Sequence, residues 1–287
     1  MISGRFFLDP ERDVSAKKIL TVYLPHIIVP FLVWSGVYTA YGLISGSYSH
    51  LSTFGVIAEF IHGPYHLWFL YSLAGLYLLT PILRKAAADG KTLAYFLIMF
   101  AAVNVVTQYL IYVPKIGGMI SDFIERTGLR AVTGYMGYFM LGYFLYSKKD
   151  NMSKKTETAI YVIGILMLIA TIAAECFISE ELRKTDFVKQ YMKPNVILYS
   201  AAIYAFFVMK ISKIHYSDRT RKVFAVFTEC GFGVYCIHAI LNGFVPTPVI
   251  KSLPLITSLL RVACLYALSL ALTWLIRKIP FVGKKIT

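Results

Sequence analysis

Between Tyr65 and Leu83 the chain carries no charge except a possible proton on His66, and Arg84 and Lys85 close the run. At ~1.5 Å per residue, about 19 helical residues make a rod of roughly 28 Å, matching the ~30 Å hydrocarbon core of a bilayer. Only a helix or a closed barrel satisfies its backbone groups across that depth. One end of the run is aromatic and histidine-bearing (His62, Tyr65, His66, Trp68) and the other is basic. Apolar runs of similar length recur along the chain. They are apolar all round, whereas a surface helix of a soluble domain is apolar on one face. Hydrophobic residues make up 57% of the sequence and charged ones 15%, against about 25% charged in soluble domains. The chain therefore reads as all-α, a polytopic integral membrane helical bundle.

Eight transmembrane helices are expected, near residues 19–44, 65–83, 92–113, 131–146, 157–178, 194–211, 223–245 and 255–276. Pro25 and Pro30 predict a kink in the first. The fourth is short and rich in glycine (Gly134, Gly137, Gly142), which suits close helix packing. Residues 45–64 read as a loop without Lys or Arg, and 114–130 and 179–193 are further long connections. The chain reads as a single membrane domain over residues 1–287. Residues 1–4 lack the pattern of a signal peptide, so the first apolar run is expected to direct insertion.

The net charge of +14 does not point to nucleic acid, because the Lys and Arg lie between apolar runs rather than in a stripe with polar readers. Of the 29 basic residues, 20 fall on one side of the predicted topology and eight on the other, with Arg261 inside the last span. The excess of positive charge on cytoplasmic loops then puts both termini in the cytoplasm. In that frame His66 lies just inside the outer face, and His238 and Arg261 lie about 10 Å below it. Asn104, Gln108, Glu175 and Asn242 also fall in outer halves, while Glu229 sits near the cytoplasmic end of its span. Ionisable groups at such depths are costly and usually face a cavity or one another. The four cysteines (Cys176, Cys230, Cys236, Cys264) lie in apolar runs without metal-ligand or disulfide spacing and read as small buried side chains.

Three blocks carry a resemblance. They are His66-Leu67-Trp68-Phe69-Leu70-Tyr71 with Gly75-Leu76-Tyr77 and Pro81, then Gly137-Tyr138-Phe139-Met140-Leu141-Gly142-Tyr143, then Gly231-Phe232-Gly233-Val234-Tyr235-Cys236-Ile237-His238. With Phe6-Phe7-Leu8-Asp9-Pro10 and Trp34-Ser35, they resemble in order and spacing the bacterial membrane acyltransferases of acyltransferase family three. Within that family the look is of O-acetyltransferases that modify surface polysaccharides, the enterobacterial-common-antigen type included. Members usually have ten spans. Their Ile-Ser-Gly segment normally closes the second span and stands here at residues 2–4. The chain is thus expected to begin after the family's first two helices, without their Arg-(ten residues)-His signature. An Arg-x-x-Arg pair is also missing near Lys17, Lys18 and His26, and the late block has Gly231 for the usual serine.

The resemblance implies acyl transfer from acetyl-CoA or another acyl-CoA to a hydroxyl of a glycan or lipid-linked sugar, in the inner membrane of a bacterium. Such transfer needs a base at the hydroxyl and donors for the developing oxyanion, and histidine titrates near the working pH. His66 and His238 are the catalytic candidates. Trp68, Tyr71, Tyr235, Arg261 and Glu229 are candidates for substrate binding, and Arg84 and Lys85 for the CoA phosphates. No bound cofactor or metal is expected; the partners are the bilayer and the acceptor. Plainer roles stand beside these: an interfacial Trp68 and His66, a packing Tyr235, a snorkelling Arg261, a hydrogen-bonded Glu229, and Arg84 and Lys85 as membrane anchors. Two further readings stay open, a transporter or flippase whose intramembrane charges serve transport, and an inactive fragment of an acyltransferase.

Overall fold

A computed structural model describes residues 1–129, 134–180, 187–245 and 254–287. Among the described residues the chain is helical throughout: α1 Ile2–Phe7, α2 Pro25–Ile44, α3 Thr53–His62, α4 Trp68–Ala88, α5 Gly90–Gln108, α6 Gly117–Arg126, α7 Tyr135–Ser147, α8 Lys154–Phe177, α9 Pro194–Met209, α10 Asp218–Asn242, α11 Pro254–Arg277 and α12 Gly283–Ile286. Among the described residues, seven helical stretches are long and apolar enough to span a bilayer: Ala16–Ile44, Tyr65–Ala88, Gly90–Tyr112, Lys154–Phe177, Pro194–Lys213, Asp218–Asn242 and Ile256–Arg277. The protein is a polytopic helical membrane protein.

The expected fourth span corresponds to α7, of which 13 residues form helix, too few to cross alone. The expected start of that span at 131–133, and the basic residues Arg130, Arg183, Lys184 and Lys251, lie outside the described residues. Two expected loops contain helices. Residues 45–64 hold α3, which Ser52 caps by accepting from the Gly55 amide at 3.2 Å. Residues 114–130 hold α6. Before Pro25, one of the two prolines that predict a kink, a π turn spans Ile19–Tyr23, where the Leu24 amide donates to the Ile19 carbonyl at 2.8 Å, and Pro30 stays inside α2.

Helix starts follow local chemistry. Ser153 and Ser217 accept from the amides of Thr156 (3.1 Å) and Thr220 (3.3 Å), opening α8 and α10. Asp89 opens α5, accepting from the Thr92 hydroxyl (2.5 Å) and the amides of Thr92 (2.9 Å) and Lys91 (3.4 Å), which holds its carboxyl below the usual range. Such caps each contribute about 1 kcal/mol.

The helices group into two compact units. One comprises Met1–Ala16 and Leu78–Ile214. In it α1 lies on α7, with Gly4 against the backbone of Phe139 and Gly142 against Met1. Gly137 lies against the Phe100 ring of α5, and Gly164 of α8 against Ala202 of α9. A Cβ at any of these glycines would collide with its neighbour, so the small residues set how closely the helices approach.

The other unit comprises Lys17–Tyr77 and His215–Thr287. Its core holds Ile27 and Trp34 of α2, Leu67 and Leu70 at the start of α4, and Cys236 and Ile237 of α10. Trp34 Nε1 donates to the Ile286 carbonyl at 2.7 Å, tying α12 to α2. Ser35 donates to the Phe60 carbonyl and holds α3 against α2.

Candidate functional site

The turn Gly63–Pro64 delivers the first candidate histidine. Gly63 ends α3 with φ +67°, a conformation that glycine adopts freely, and a Cβ there would meet the Phe31 ring. Pro64 follows in an extended conformation, and a short 3₁₀ turn, Tyr65–Leu67, leads into α4. Leu67 is pinned in the core, which turns His66 inward until only 7% of it is exposed.

Around His66 stand four rings of the same unit, with centroids at 5.1 Å (His238), 5.1 Å (Tyr38), 5.5 Å (Tyr65) and 5.7 Å (Tyr235). His66 and His238 meet edge to face, at 77° between ring planes. Tyr235, one turn before His238 on α10, donates its hydroxyl to the His66 carbonyl.

The hydrogen bonds assign the tautomers. His66 Nε2 lies 3.4 Å from the Cys236 carbonyl, and His238 Nδ1 lies 2.7 Å from the Tyr235 carbonyl. A carbonyl only accepts, so these two nitrogens carry the hydrogens. In the neutral rings, His66 Nδ1 and His238 Nε2 then hold the free lone pairs. His66 Nδ1 is buried with no hydrogen-bond partner.

Tyr38 fixes the backbone behind the pair. Its hydroxyl donates to the Cys236 carbonyl at 2.9 Å and accepts from the Ile240 amide at 3.1 Å. An α-helix normally joins that carbonyl and that amide directly. The hydroxyl thus contacts both groups of one rung of α10 beside His238, and the Cys236 carbonyl faces His66 as well. Nothing in the blocks above singled out Tyr38. Its signal was the helical spacing of Ile27, Phe31, Trp34 and Tyr38 on one face of the first span.

Arg261 of α11 joins α10 one turn beyond His238. Its Nη2 donates to the Asn242 side-chain oxygen at 3.1 Å and to the Asn242 carbonyl at 3.3 Å. Its Nε is buried without a partner.

The other candidates are placed differently. Trp68 and Tyr71 are 40% and 50% exposed; the Tyr71 hydroxyl donates to the Ile61 carbonyl and its ring packs on Phe31 at 4.9 Å. Glu229 lies nine residues before His238, about 13 Å along the helix, and its carboxylate pairs with Arg277 Nη2 at 3.0 Å. Arg84, in the first unit, donates to the carbonyls of Phe7 (2.7 Å), Asp9 (2.9 Å) and Arg12 (2.9 Å). Its guanidinium anchors the amino-terminal segment, and Lys85 beside it is exposed. The structure thus gathers His66, His238 and Tyr235, sets Arg261 one turn away, and leaves Glu229, Arg84 and Lys85 elsewhere. Cys176 and Cys264 are exposed free thiols, not the buried side chains expected; Cys230 and Cys236 are buried.

Helices of bilayer length around a buried histidine pair define a polytopic membrane protein with a polar site inside its spans. The family model described as "Acyltransferase domain" matches residues 1–278, and the chain belongs to that family of membrane acyltransferases. No curated protein and no solved structure matches the chain significantly.

Proposed function

We propose that the chain serves O-acyl transfer in a bacterial inner membrane, moving an acetyl or other acyl group from acyl-CoA to a hydroxyl of a cell-envelope glycan. The observation that carries this reading is the buried, unpartnered Nδ1 of His66, which faces no protein donor and lies in a ring cluster with His238. A buried polar atom without a partner is unusual in a folded protein and calls for a ligand or a chemical role.

In this reading the acceptor hydroxyl donates to His66 Nδ1. As the hydroxyl oxygen attacks the thioester carbonyl carbon, the proton passes to the ring. The tetrahedral oxyanion then collapses, the carbon–sulfur bond breaks, and the CoA thiolate takes the proton from the imidazolium. His238, edge to face with His66 at 5.1 Å, offers a second base through its own Nε2. The free Nε–H of Arg261 suits an oxyanion or a sugar oxygen. Trp68 and Tyr71 suit stacking on a sugar, while Arg84 is already occupied by backbone carbonyls. With α7 counted as a short eighth crossing, the distribution of Lys and Arg supports cytoplasmic termini and an outward-facing histidine pair.

The test supplies radiolabelled acetyl-CoA to membranes with and without the chain. Label appearing in envelope glycan only when the chain is present supports the reading. Solute transport by the chain without any acylation overturns it.

A further inference from the structure

In the first unit α8 and α9 run antiparallel and leave between them an open furrow of about 430 Å³, within the range of about 300–1,000 Å³ usual for small-ligand sites. Its floor is the close approach of Gly164 to Ala202. Its walls are aliphatic and aromatic, with Ile165, Leu168, Ile203 and Phe207 all exposed on the chain's own surface. Two small residues facing each other thus leave a furrow between larger neighbours, at a depth where both helices lie in hydrocarbon.

One end of the furrow is strongly cationic. Tyr161, which lines it, donates to Glu157 at 2.9 Å, and Glu157 binds Lys210 at 2.7 Å. Next to them Asp150 binds Lys149 and Lys213, each at 3.2 Å. These two carboxylates are used up by three lysines, while Lys148, Lys154 and Lys155 are exposed with no ion pair among the described residues. Lys154 lies about two turns before Tyr161 on α8, so an apolar furrow with ammonium groups beyond its Tyr161 end has the polarity of a two-part amphiphile with a negative head.

We propose that this furrow binds an anionic glycerophospholipid of the bilayer, an acyl chain lying over Gly164 and Ala202 and the phosphate meeting Lys154 and Lys155. The site is independent of the histidine pair and of the acyl-transfer reading. Lysines near a membrane surface attract anionic lipid, and two of them give a preference of about tenfold or more over a zwitterionic head.

The test uses the purified full chain in detergent, with phosphatidylglycerol or phosphatidylcholine of identical chains added and bound lipid counted by native mass spectrometry. Phosphatidylglycerol is expected to be retained about tenfold better. The double variant Lys154→Gln/Lys155→Gln, on an exposed surface, abolishes the preference but leaves weak binding of both lipids. Leu168→Trp, which fills the furrow from its open side, lowers binding of both. Equal retention of the two lipids by the unaltered chain overturns the proposal, as does full phosphatidylglycerol binding by Leu168→Trp. A dimer that excludes lipid from the furrow also overturns it, giving the surface to a second copy.

Discussion

Each unit buries one cluster of polar side chains, and the two clusters differ in how completely they are satisfied. In the first unit Lys193 is fully buried. Its ammonium donates to the Gln108 carbonyl at 2.7 Å and lies over the rings of Phe187 (3.9 Å), Tyr109 (4.9 Å) and Tyr112 (5.1 Å). Asn195, two residues on, donates to Thr171 Oγ1 (2.8 Å) and the Val188 carbonyl (3.0 Å) and accepts from the Tyr109 hydroxyl (2.9 Å). Every polar group named there has a protein partner, and such a network specifies packing. In the second unit the His66–His238 pair is held by carbonyls on one side and offers free lone pairs on the other. Neither burial nor one unspent group marks a site alone, since Asn104 Oδ1, Glu175 Oε1 and the Tyr204 hydroxyl of the first unit are also buried without a partner; the histidine pair adds a second titratable ring 5.1 Å away.

The largest expected effect breaks that contrast from the histidine side. His66→Gln and His238→Gln each lower acyl transfer by about 10²–10⁴-fold, the usual contribution of a general base. The thermal midpoint in detergent moves little, because the amide keeps a donor for the carbonyl. A lowered midpoint with unchanged transfer would make the pair as structural as Lys193. Next comes Lys193→Ala, which empties a ring-lined hole and strips the Gln108 carbonyl of its donor. It costs about 2–4 kcal/mol, read as a lowered denaturation midpoint with the specific activity of the folded fraction retained. Asn195→Leu leaves the Tyr109 hydroxyl and the Val188 carbonyl unpaired and costs about 1–3 kcal/mol in the same assay. The smallest effect is that of Glu229→Gln. The Arg277 pair is partly exposed and worth about 0.2–1 kcal/mol, and Arg277 keeps its bonds to the carbonyls of Glu229 and Thr287. A large loss of transfer in that variant would instead bring Glu229 into the site.

Much of the fold was legible in the sequence because the thickness of hydrocarbon is read by contiguous residues. The expected spans at 65–83, 92–113, 157–178, 194–211 and 223–245 correspond to helices differing mainly at their ends, where Asp89, Ser153 and Ser217 supply caps. The helix α3 escaped because Phe54, Ile57 and Ile61 make a run of only ten residues, too short for a bilayer and read as loop. The histidines were legible as costly groups in apolar runs. Glu229 was legible for the same reason, and nothing in the sequence showed that Arg277 neutralises it.

The sequence by itself determined an all-helical membrane chain, the histidines that stand in its spans, and the motifs that carry the family. These depend on hydropathy and local capping, which act over a turn or a span. Only the tertiary structure decided that His66 meets α10 at Cys236, 170 residues away, that Tyr38 enters the same turn, and that Arg84 spends its donors on carbonyls. Those outcomes depend on how each helix is rotated about its axis and which neighbour it packs against. An all-apolar helix has no polar face to fix that rotation, so glycine contacts such as Gly233 against Thr273, and hydrogen bonds such as Trp34 to Ile286, fix it instead.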